Sequence, residues 1–158
     1  MKTKPSPALL HDEPVNPKIV LAGLWTAMLM VFAYVDIFGF FRADIIEAAR
    51  AGEVAGIGVV INQGFLVFST VFVLIPIAMI VISLLASPGL NRRANIATSI
   101  LYAVVIAGLC IGETWVYYLL GSAVEVVLLL MIARRAWTWP SAVGSSEEVA
   151  KPAAHLLG

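Results

Sequence analysis

Four stretches of this sequence are long and almost wholly apolar, and each has to be a helix. They cover residues 19–41, 65–85, 94–111 and 114–133. About 20 mostly apolar residues cross the roughly 30 Å of bilayer hydrocarbon. In lipid every backbone donor and acceptor has to be satisfied within its own segment, which a helix does. A soluble four-helix core would need a polar face on each helix, and near-continuous apolar runs do not supply one. Charged residues make up only 13% of the chain and apolar ones 61%, against about a quarter charged in soluble domains. The expected fold is therefore all-α, a four-transmembrane-helix bundle over residues 18–140. Short polar tails, residues 1–17 and 141–158, flank it, with the Pro, Ser, Ala and charge content of disordered segments.

The basic residues orient this bundle. Lys2, Lys4, Lys18, Arg92, Arg93, Arg134, Arg135 and Lys151 fall on one side of the expected topology, and only Arg42 and Arg50 on the other. The positive-inside rule then puts both termini in the cytoplasm, and the localisation is a bacterial cytoplasmic membrane. Trp115, Tyr117 and Tyr118 at one end of the last span, with Trp137 and Trp139 at the other, suit aromatic belts. Residues 19–41 are too long, and too far from the N-terminus, to be a signal-peptide core, so no cleavage is expected. Residues 43–51 have helix-forming composition, with Ile45, Ile46 and Ala49 on one face and Gly52 as a C-terminal cap. They predict a short amphipathic helix in the outer loop.

Small and polar residues recur at helical spacing inside the spans. The stripes are Ala22, Thr26, Ala33 and Asp36; Asn62, Ser69, Pro76 and Ser83; Asn91, Asn95, Thr98, Ser99 and Tyr102; and Thr114, Tyr118, Gly121, Ser122 and Glu125. Helices in lipid approach closely through such residues, so the stripes are expected to face inwards. The two acids stand apart. A carboxylate at the bilayer centre costs at least about 2.5–3.5 kcal/mol, so such groups face the interior with a partner or stay neutral. Glu125 lies eleven residues beyond Thr114, hence ~16 Å deep at ~1.5 Å per residue. No basic residue lies in a span interior to pair with it. Pro76 lacks an amide and so frees the carbonyl of Phe72. Glu125 is therefore expected to be a neutral acid donating to Tyr102 or to that carbonyl. Asp36 falls level with Asn62, Gln63 and Tyr117 and predicts a second polar cluster near the outer face. Glu113, in the turn before the last span, is expected to be solvated.

Several runs together carry a family resemblance: Asn62–Gln63–Gly64–Phe65, Ile75–Pro76–Ile77–Ala78–Met79, Asn91–Arg92–Arg93–Ala94–Asn95, Tyr34 with Asp36, Tyr117–Tyr118 with Glu125, and Trp137 with Trp139. From residue 24 to 139 the chain resembles an uncharacterised family of four-span bacterial membrane proteins, a domain of unknown function. In size and layout it is also similar to the DoxX-like group. The resemblance implies a fold and no activity, and marks Asp36, Asn62, Gln63, Asn95 and Glu125 as polar motif positions.

Three functional classes follow. The first is a non-enzymatic bundle that associates with itself or with a membrane-protein partner. The second is a small proton- or cation-coupled transporter using Glu125 and Asp36, with Tyr102, Asn62, Gln63, Asn95 and Tyr118 as further ligand or proton-binding candidates. An enzyme is least supported. Cys110 is the one cysteine and His11 and His155 lie in the tails, so no metal site, cofactor or nucleophile–base pair is readable. Nothing points to nucleic acid; the expected surroundings are the lipid bilayer.

Overall fold

A computed structural model describes residues 14–139 of the chain. The tail assignments therefore lie outside the described residues, save for the last few residues before the first helix. Five helices follow in order: α1 (Pro17–Gly39), α2 (Ala43–Arg50), α3 (Gln63–Leu85), α4 (Pro88–Leu109) and α5 (Val116–Trp137). Of these, α1, α3 and α5 are both long and apolar enough to cross a membrane. At 22 residues α4 has the length, but Asn91, Arg92, Arg93 and Asn95 in its first turns dilute its hydropathy.

Local chemistry sets the helix ends. The Asn16 side chain accepts from the Lys18 amide and Pro17 supplies a preset first residue, so α1 starts earlier than its apolar run. Asn62 does the same for α3, its Oδ1 accepting from Phe65 N at 3.0 Å. The outer helix α2 ends in a Schellman turn: Gly52 sits at φ +78°, its amide reaches Ala49 O, and Glu53 N reaches Ala48 O at 2.9 Å. Glycine is required there because a Cβ is strained in that conformation. On α2 the half-buried residues are Ile45 and Ala48, while Ile46 and Ala49 are exposed. The packed face is thus rotated from the expected one, because Ile45 Cδ1 has to meet the bare backbone of Gly39.

The long helices pack as antiparallel neighbours, with α5 against α4 and α1, and α1 also against α3. Gly121 of α5 lets Val35 of α1 come so close that a Cβ would collide with it. The apolar core is Leu21, Trp25 and Met28 with Met79, Tyr102, Ile106, Leu129, Ile132 and Ala136. It lies towards the end of the bundle where Lys18, Arg92, Arg93, Arg134 and Arg135 gather, hereafter the basic end; α2 marks the opposite, loop end.

At the basic end a buried polar junction joins three helices. Trp25 Nε1 donates to Asn95 Oδ1 at 2.7 Å, and Ser83 Oγ donates to the same oxygen at 3.2 Å. Asn95 Nδ2 donates to Asn91 O at 2.9 Å and Asn91 Oδ1 at 2.7 Å. Asn91 Nδ2 in turn donates to Ser83 O at 2.6 Å. Trp25, Ser83, Asn91 and Asn95 are all fully buried. Nearby, Lys18 Nζ donates to the last carbonyls of α3, Ala86 O at 2.8 Å and Leu84 O at 3.3 Å, which suits a cation at a helix C-terminus.

The expected stripes on α3, α4 and α5 largely face inwards. Pro76 and Ser83, Asn91, Asn95, Ser99 and Tyr102, and Ser122 and Glu125 are buried. On α1 the stripe fails beyond Ala22: Thr26, Ala33 and Asp36 are exposed, and the packed face carries Leu21, Trp25 and Met28 instead. Shape and a hydrogen-bond donor set that face, and Thr26 satisfies its own hydroxyl on Ala22 O at 2.9 Å. Replacing Asn95 by Ala strips partners from Trp25, Ser83 and Asn91. We expect Asn95→Ala to lose about 1–3 kcal/mol, seen as a lower thermal midpoint in mild detergent, while exposed Thr70→Ala stays within about 0.5 kcal/mol.

Candidate functional site

Glu125 is the one buried acid among the described residues, 2% exposed on α5. Tyr118 and Ser122, at steps of seven and three before it, share its helix face. Its expected partners are taken by each other. Tyr102 Oη donates to Phe72 O at 2.6 Å, the carbonyl that Pro76 deprives of its helical amide. The predicted bond from Glu125 to Tyr102 or to Phe72 is therefore absent, and Glu125 Oε1 is buried without a hydrogen-bond partner among the described residues. A phenol at that spot both satisfies the carbonyl and stacks on the Phe72 ring, centroids 4.7 Å apart. Trp25 meets the Tyr102 edge at 6.4 Å, so the aromatic layer continues into the polar junction.

Asp36 lies on the α1 face that carries Trp25, Leu29 and Phe32, at steps of eleven, seven and four. Towards the basic end this face packs on α3 and α4. At the level of Asp36 it is open, since the buried residues of α3 are Pro76, Met79 and Ser83, all in its second half. Asp36 is accordingly exposed. Tyr118 is half-buried on the same face of α5 as Glu125. Phe32, Phe72 and Tyr102 form an aromatic floor, with the Phe32 and Phe72 rings 6.1 Å apart. Below that floor a void of only about 10 Å³ remains, lined by Met28, Phe32, Phe72, Pro76, Tyr102 and Ile106.

The other candidates fall elsewhere. Asn62 and Gln63 are exposed at the start of α3, and Asn62 is spent on capping the helix. Asn95 belongs to the polar junction. Tyr117 packs with aromatic neighbours, 6.4 Å from Phe38 and 6.2 Å from Trp115. Of the residues expected to cluster with Asp36, Asn62 is thus engaged in capping and Tyr117 in aromatic packing. No group of three His, Cys, Asp or Glu side chains within reach of one metal ion occurs among the described residues.

A second charged site emerges at the loop end. Arg42, 8% exposed, donates to Asp44 at 2.6 and 3.1 Å and to Glu113 at 3.1 Å, and its guanidinium lies 4.7 Å from the centre of the Trp115 ring. Glu113, expected to be merely solvated, also accepts from the Thr114 and Trp115 amides through Oε1, at 2.8 and 3.0 Å. It thereby fixes the turn that leads into α5 while holding Arg42. Sequence reasoning treated Arg42 as a topology marker; the alternation of Arg42, Asp44 and Glu113 with Trp115 was the available signal.

The hydrogen bond from Arg42 holds the Asp44 carboxyl below the ordinary range. Partial burial pushes Glu113 up, but the Trp115 amide, Arg42 and the Thr114 amide outweigh it, so it too is lowered. Groups lowered on folding stabilise above their unfolded pKa, about 4 for carboxyls, and lose that contribution as the pH falls through the folded values. Acidification below about pH 4 is therefore expected to lower the protection of the α2 amides, taken as the observed exchange rate against the intrinsic rate at the same pH. Arg42→Gln should show low protection already at neutral pH and little further change.

The family of unknown function DUF6326 matches residues 11–145 of the chain. No curated protein and no solved structure matches it.

Proposed function

Because the chain belongs to a family of unknown function, its role has to come from its own residues, and we propose a non-enzymatic four-span membrane bundle that works as a homo-oligomer and binds a proton or small cation at Asp36 and Glu125. In this reading α4 is the fourth span. Its apolar part runs from Ile96 to Leu109, and Arg92 and Arg93 sit in the interface. Both termini are cytoplasmic by the positive-inside bias, the membrane is the bacterial cytoplasmic one, and the layout is the one it shares with the DoxX-like group.

The carrying observation is the orphaned oxygen of Glu125. The buried polar groups Ser83, Asn91, Asn95 and Tyr102 have partners. An acid kept only to fix helix register would be satisfied in the same way, because an unpaired buried polar atom costs about 1–3 kcal/mol. Glu125 instead keeps a buried oxygen without a partner among the described residues, with Tyr118 and Ser122 on its own helix face. A proton or small cation arriving from the loop end would meet Asp36 first and Glu125 next. Beyond Glu125 the interior is filled by the aromatic floor and the polar junction. A pathway past that point has to use a surface shared with a second copy, which is why the proposal includes an oligomer. Transport by coupling to this site is the consequent activity.

A structural acid is the competing reading, and one experiment separates them. Protein is reconstituted into liposomes under an imposed potential, and proton or sodium influx is followed with internal dyes. Wild type is expected to conduct, and Glu125→Gln to lower the rate by about a hundredfold with unchanged elution and thermal midpoint. Asp36→Asn should slow influx less. Full influx in Glu125→Gln would overturn the proposal in favour of a register lock, in which case Glu125→Leu changes the oligomeric state.

A further inference from the structure

Arg42 at the loop end and Arg92 on α4 each have a group to hold, whereas among the described residues no hydrogen-bond or carboxylate partner meets the guanidinium groups of the pair that ends α5. Arg42 is locked between Asp44 and Glu113, and Arg92 lies 5.7 Å from the centre of the Trp137 ring. Arg135, half-buried, keeps its Nε atom buried without a hydrogen-bond partner. The acids among the described residues are Asp36, Asp44, Glu47, Glu53, Glu113 and Glu125. Glu125 is the one nearest along α5, ten residues and so ~15 Å away. A guanidinium at the membrane interface without an internal carboxylate is an anion site awaiting its anion.

The surroundings say which anion. Arg134 and Arg135 border a groove of about 330 Å³ between α1 and α5, whose other walls are Val20, Leu24, Met131 and Thr138. The Thr138 hydroxyl already donates to Arg134 O at 3.0 Å, so the guanidinium groups are the donors left for a ligand. The aliphatic floor runs from the arginines towards the bilayer centre. Further along the same pair of helices a second groove, lined by Met30, Val31, Leu120 and Val124 with Tyr34 and Tyr117, is mostly apolar. A free inorganic anion has no use for such a floor. An amphiphile with a phosphate at one end and an acyl chain at the other uses both parts.

We propose that the α1–α5 groove at the basic end binds an anionic glycerophospholipid, its headgroup phosphate held by Arg134 and Arg135 and one acyl chain lying on Val20, Leu24 and Met131. Arginine suits this because its planar fork meets two phosphate oxygens at once, and basic clefts between transmembrane helices are sites for acidic headgroups. The site is independent of the acid pair at Glu125 and of which leaflet the basic end faces.

The test is lipid retention by native mass spectrometry. The full-length protein is extracted in mild detergent and equilibrated with equal amounts of phosphatidylglycerol and phosphatidylcholine of the same acyl composition. Wild type is expected to keep phosphatidylglycerol over phosphatidylcholine by about tenfold, a difference of ~1.4 kcal/mol. The double variant Arg134→Gln with Arg135→Gln should bring the two lipids to parity. Val20→Trp, which fills the floor and leaves the charges in place, should lower retention of both. Arg92→Gln with Arg93→Gln, the other basic pair at this end, should leave the preference intact. Parity in wild type, or a preference that survives loss of both Arg134 and Arg135, overturns the proposal. So does displacement of the lipid by inorganic phosphate, which would mark a simple anion site.

Discussion

The structure depends on one oxygen, Asn95 Oδ1, which takes hydrogen bonds from Trp25 and Ser83 and so joins α1, α3 and α4. In hydrocarbon there is little hydrophobic drive to hold helices together, so specific packing and hydrogen bonds between them carry that task. The junction has its donors and acceptors matched: Asn95 gives its own amide protons to Asn91, and Asn91 gives its to Ser83 O. A satisfied network of this kind fixes register as well as proximity. The aromatic layer of Trp25, Tyr102 and Phe72 extends it towards mid-depth, and Lys18 closes the end of α3 beside it.

This concentration of order at the basic end explains the looseness at the other. Buried residues of α3 stop at Pro76, and the loop end is held by a separate ionic clamp at Arg42 rather than by a core. Between the two lie Glu125 and Asp36, in a region that neither the junction nor the clamp has to satisfy. An unpaired acid is tolerated there because the surrounding stability is supplied elsewhere. The same division leaves Arg135 without an internal partner, since the carboxylates cluster at the loop end.

Much of this was legible in the sequence, and the failures share a cause. The helix positions, the outer helix with its glycine stop, and the inward faces of α3, α4 and α5 followed from apolar runs and helical spacing. The carbonyl freed by Pro76 was also foreseeable, as was the presence of Tyr102 at its depth. What spacing could not tell is which of two candidate donors reaches that carbonyl; Tyr102 does, and Glu125 is left over. On α1 polarity was a poor guide to direction, because Trp25 is a large apolar residue whose single N–H is its reason for facing inwards. Exposure of Thr26 was equally hidden, as its hydroxyl is satisfied within its own helix. Glu113 was read as solvated and Arg42 only as a topology marker, because their meeting depends on how two distant turns fold together.

The central claim is that Trp25 and Asn95 act on one another across the α1–α4 boundary. A double-mutant cycle with Trp25→Phe and Asn95→Leu, read by reversible unfolding in detergent micelles, tests it most directly. The account predicts a coupling energy of about 0.6–1.7 kcal/mol, the range found for hydrogen bonds between membrane helices. Strictly additive effects of the two substitutions would contradict it.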